Sequence, residues 1–134
     1  QSLYCPGPQL WRQVTIESVC YLSVADLAQD KQRAMLKLIN LLDHLLGSGA
    51  KAGDPWLSDG GGISEALREI GTRFARIYGL GYGLADLGVD TAHDYFAHTL
   101  WLYLHHSRRL NAIDPLVFKL YRHSLMRESF WPRA

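Results

Sequence analysis

Between Met35 and Leu46 the chain places apolar residues at 35, 36, 38, 39, 41, 42, 45 and 46, a stripe wider than half a helix circumference. A helix apolar on so many sides is central in a bundle or rests on a partner chain. Ser23-Val24-Ala25-Asp26 resembles a capping box with Asp in place of Glu, so the helix is expected to begin there and to stop at Gly47-Ser48-Gly49. A second helical stripe follows Ser64, with Leu67, Ile70, Phe74 and Ile77 on one face and Glu65, Arg68, Glu69, Arg73 and Arg76 on the other.

The segment from Asp90 to Leu110 contains no Gly or Pro and holds four of the six histidines. Its pattern predicts one continuous helix capped by Asp90, with Phe96, Leu100, Tyr103, Ser107 and Leu110 facing inward and Arg108 and Arg109 beside the C-terminal dipole. Asp114-Pro115 is a cap with proline at the first helical position, opening a last helix through Leu116, Val117, Leu120, Tyr121 and Leu125.

The remaining segments are less regular. Gln1 to Gln9, with Pro6, Gly7 and Pro8, reads as an irregular arm. From Leu10 to Leu22, Trp11, Val14, Val19 and Leu22 suit a helical stripe, whereas Val14 and Ile16 suit a short strand. No clear partner strand is visible, so a helix is expected. Residues 47–62 are a long Gly/Ser/Asp loop carrying Trp56, which either tucks onto the body or serves as an exposed aromatic anchor. Glycines at 79, 81 and 83 resemble a phosphate cradle in letters only. No strand precedes them and no Gly-Lys-Ser/Thr ending follows, so a tight turn against a neighbour is expected. Residues 129–134 form a tail with Phe130 and Trp131. The expectation is an all-α fold: a compact bundle of four to five helices in a single domain, residues 1–134.

Composition narrows function. At 134 residues, 48% apolar and 20% charged, the chain can bury a real core without metals or disulfides. The net charge of +1 excludes strong whole-molecule steering to nucleic acid or anionic lipid. Cys5 and Cys20 match no zinc spacing; a single bridge between them stays open if the compartment is oxidising. No apolar run approaches the roughly 20 residues of a membrane span. Because the sequence opens on Gln1 with no signal-peptide pattern, it reads as a mature or trimmed chain. A cytoplasmic protein is expected, with a secreted or periplasmic chain as the alternative.

Candidate chemistry concentrates on one stripe, Asp94, His98, His105 and Arg109. His98 and His105 lie about 10 Å apart along a helix axis, too far to share an ion. Asp94 and His98 are therefore the low-ranked metal candidates, needing further ligands such as His44 beside Asp43, or His123. Neither Glu-x-x-His nor His-Glu-x-x-His occurs. None of the serines or cysteines sits in a nucleophile elbow, and no cofactor is implied. Lys119, Arg122 and His123, at i, i+3 and i+4, offer a patch for phosphates and hence a nucleic-acid alternative. The preferred reading is a non-catalytic interaction module that binds another protein, or itself as a homodimer, through Trp56, Arg108, Arg109, Arg122, Phe130 and Trp131, since aromatic and Arg side chains dominate binding hot spots. A metal-dependent or acid/base enzyme centred on Asp94 and His98 is the rival.

Overall fold

The computed structural model describes residues 3–11, 14–21, 31–48, 53 and 55–132. Six helices form an all-α bundle: α1 Lys31–Ser48, α2 Glu65–Leu80, α3 Leu84–Leu87, α4 Ala92–His105, α5 Ser107–Ile113 and α6 Pro115–Arg122. The all-α expectation holds for this body. At the N-terminus, the expected arm and the expected helix over Leu10–Leu22 are instead two antiparallel strands, β1 Leu3–Trp11 and β2 Val14–Tyr21. The β-branched density of Val14, Thr15, Ile16 and Val19 prevails, and the unrecognised partner strand is the Pro-Gly-Pro segment itself. The ladder shifts register between Cys5 and Pro8, so Pro6, which has no N–H to donate, falls at the irregularity. Register pairs Cys5 with Val19 and Cys20 with Tyr4, so the cysteines are not a cross-strand pair. The hairpin lies along α1.

The expected cap at Ser23–Asp26 lies outside the described residues. The end of α1 agrees with the expected stop, one residue past Gly47. A Cβ at Gly47 would run into the backbone of Trp56 and Leu57, because the loop folds back onto the helix there. α1 buries Ala34, Ile39, Asp43, His44 and Leu46, while Leu38, Leu42 and Leu45 stay about 40% exposed. The wide stripe is thus half core and half open surface.

The Ser64 hydroxyl caps α2 by accepting from Leu67 N–H at 3.2 Å. Leu67, Ile70 and Phe74 are buried, and Phe74, fully enclosed, accounts for about 2–3 kcal/mol of hydrophobic stabilisation. Gly71 lets the carbonyls of Leu57 and Gly61 approach the helix; a side chain there would collide with both. The glycine-rich segment is the expected tight turn: Gly81 and Gly88 end helices at φ 75° and 65°, and Gly83 packs beneath the Tyr95 hydroxyl and Ile113.

α4 is the central element, burying Tyr95, Phe96, Ala97, Thr99, Leu100 and Leu102. Phe96 meets Phe74 edge-on at 5.4 Å and Tyr121 at 5.9 Å, an aromatic centre that ties α2, α4 and α6 together. Three sequence expectations fail here, the first being that Ser107, expected to face inward, is exposed. The cap is Thr91, whose hydroxyl accepts from Asp94 N–H, whereas Asp90 offers its carbonyl to the Tyr78 hydroxyl. Nor is the helix continuous: His106, at φ −145° and ψ 58°, breaks it, and α5 starts afresh. Arg108 and Arg109 accordingly occupy the first turn of α5, not the last turn of a long helix. Asp114 caps α6 as expected.

Candidate functional site

Among the described residues a groove has both apolar and charged walls. Between α2 and α6 a depression of about 480 Å³ is lined by Ile70, Arg73, Arg76 and Ile77 on one side and by Leu116, Lys119, Leu120, His123 and Ser124 on the other. Helical spacing explains the arrangement. On α2, Ile70 and Ile77 stand two turns apart with Arg73 and Arg76 at the neighbouring rim positions; on α6, Leu116 and Leu120 are one turn apart beside Lys119 and His123. Ile70 and Leu120 are buried and belong to the core, so the floor is rigid, while Leu116 is partly open. The α6 wall is closed at its end by Ser124, whose hydroxyl donates to Leu120 O at 2.5 Å, and by Met126 N–H donating to Tyr121 O.

The rim is cationic. No carboxylate lines the groove among the described residues. Arg73 pairs with the exposed Glu69 at 2.8 Å, whereas neither Arg76 nor Lys119 forms an ion pair among the described residues. A chain of near-zero net charge therefore concentrates positive charge along an apolar trough.

A second cluster surrounds Trp56. Its indole stacks on the His93 ring at 3.8 Å and 6°, and lies 5.2 Å from the His44 ring. His93 Nε2 meets Asp59 Oδ2 at 2.9 Å, and the same oxygen accepts from Trp56 N–H. Beneath, the Asp43 carboxyl accepts from Ser58 N–H at 2.8 Å and from the Ser58 hydroxyl at 2.6 Å. Burial pushes the Asp43 carboxyl up to about 7, against the lowering effect of the Ser58 hydrogen bonds and of nearby His93. The residue types suggest catalysis, but the geometry does not. Asp43, His44 and Ser58 are closed to solvent, and the Ser58 hydroxyl is spent on Asp43. This cluster fastens Trp56, Ser58 and Asp59 to α1 and α4.

The other expected site residues are dispersed. Trp56 is half-buried in its stack. Arg108 and Arg109 are exposed and, with His105, His106 and Ser107, line a separate shallow depression of about 440 Å³. Arg122 is exposed on α6 but does not line the groove. Phe130 and Trp131 pack on the core, Trp131 donating Nε1–H to Leu125 O at 3.0 Å. His98 donates Nδ1–H to the Asp94 backbone carbonyl, so this pair is joined through the main chain and not through the carboxylate. Among the described residues no group of three His, Cys, Asp or Glu side chains is placed to hold a metal. His44 is enclosed beside Trp56, and His123 lines the groove.

The groove was not legible in the sequence because it arises from α2 packing on α6. Its local signal was present: Arg73/Arg76 and Lys119/His123 each flank isoleucine or leucine at helical spacing. Comparison with protein-family models, with curated proteins and with solved structures gave no match. No helix among the described residues is long and apolar enough to cross a membrane.

Proposed function

We propose that the protein is a non-catalytic helical interaction module and that the α2/α6 groove is its binding face. The observation that carries this reading is the rigid trough with a core-backed apolar floor and a cationic rim. Apolar area left open at Leu116 and Ile77 rewards burial, and rim charges supply orientation and partner choice. Phosphate binding through the same cations is the weaker reading, since the lining side chains of the floor are aliphatic and offer no aromatic platform for bases. A photo-crosslinking residue at Leu116, compared with one at the exposed Leu104 on α4, tests the proposal in cells of the source organism. A discrete protein adduct from position 116 alone is expected; no adduct, or equal adducts from both positions, would overturn it.

A homodimer is a second reading, favoured by the Leu38, Leu42 and Leu45 stripe of α1. Sedimentation of the protein and of Leu42→Glu separates the two: a dimer dispersed by that change supports self-association, and a monomer refutes it.

A further inference from the structure

We infer that the α2/α6 groove receives an acidic amphipathic helix of a partner protein. This rests on the interaction reading of the groove and specifies the occupant. Four observations converge on it. Both walls are helices, so no strand edge is offered and an extended peptide would leave its backbone groups unpaired. Ile70 and Ile77 are seven residues apart, about 10 Å along α2, which matches apolar side chains at i, i+3 or i+4 and i+7 of a docked helix. The lining carries Arg73, Arg76 and Lys119 with no carboxylate, so carboxylates on the two shoulders of that helix meet complementary charge. Arg76 and Lys119 stand on opposite walls with no ion pair among the described residues, one available to each shoulder.

The apolar stripe of the partner would cover Leu116 and Ile77 and reach the buried Ile70 and Leu120 at the bottom. Glutamates flanking it would lie against Arg76 and Lys119, and a third would compete with Glu69 for Arg73. Basic or neutral helices of the same apolar pattern gain the floor but not the rim.

The test titrates the whole protein with stapled helical peptides of about four turns, leucine at i, i+3 and i+7, flanked either by glutamate or by lysine. The glutamate peptide is expected to bind at least about tenfold more tightly than the lysine peptide and to weaken as salt rises. In the double variant Arg76→Glu/Lys119→Glu, both changes lying at exposed positions, the preference is expected to invert. Equal affinity for the two peptides, or a preference untouched by the charge reversal, would overturn the inference. So would a mixed-sequence DNA duplex that outcompetes the glutamate peptide, or self-association of the free protein that Leu116→Glu abolishes. Should the peptide fail while the position 116 adduct persists, the groove is a binding face for a partner of other chemistry; loss of both overturns the module as well.

Discussion

Burial of Asp43 makes stability depend on pH in a direction opposite to that of most carboxylates. In the unfolded chain the group titrates near 3.8, whereas in the fold it is held up to about 7 by loss of solvent. The folded state thus binds the proton more readily. The stabilisation is complete below about pH 4 and is lost as pH rises towards and through about 7. From pH 5 to pH 7 the unfolded chain is already ionised while the folded chain still resists ionisation. A pH unit costs about 1.4 kcal/mol while the folded group stays protonated and less as it begins to ionise near 7, so the window costs about 2 kcal/mol in all. For a chain of this size that is a fall in Tm of roughly 7 °C. Asp43→Asn removes the titration and keeps the shape: the amide oxygen accepts from Ser58 N–H and the amide nitrogen donates to the Ser58 hydroxyl. Differential scanning fluorimetry of both proteins from pH 5 to pH 8 checks this. His93, beside Asp59, is common to both, so the difference between the two Tm values reports Asp43 together with its coulombic coupling to His93. The native protein is expected to lose Tm relative to the variant as pH rises. A difference that does not change with pH would refute the reasoning.

Three further outcomes follow from packing. Gly71→Ala puts a methyl against the carbonyls of Leu57 and Gly61 and should cost about 1–3 kcal/mol in denaturant unfolding, with the loop displaced. Tyr95→Phe removes the hydroxyl that donates to the buried Asp114 carboxylate at 2.5 Å and should cost about 2 kcal/mol; an unchanged midpoint would show that the contact contributes nothing. Tyr121→Phe deletes the bond to the Thr99 hydroxyl at 2.7 Å, while that hydroxyl keeps its bond to Tyr95 O, so about 1 kcal/mol is expected by the same assay.

The helical body was legible because its apolar periodicities are strong and its caps are local: Ser64, Asp114-Pro115 and the end of α1 each follow from residues within one turn. The break at His106 was not legible, since neither glycine nor proline marks it and the residues on both sides are acceptable in helices. The N-terminal strands were misread because strand pairing is a property of two segments, and Pro6-Gly7-Pro8 disguised one of them. The expected contact residues follow from residue type alone, aromatics and arginines, which carries no information on tertiary neighbours. Trp56, Phe130 and Trp131 are instead engaged by neighbours that only the tertiary fold supplies. The groove itself depends on the approach of α2 to α6, which no single stretch encodes.

The most direct test of the binding face is the yield of protein adduct from a photo-crosslinking residue at Leu116, in the native background and in Arg76→Glu/Lys119→Glu. A discrete adduct is expected in the first and its loss in the second. An adduct that survives the charge reversal undiminished, or none in the native background, would contradict the proposed binding face.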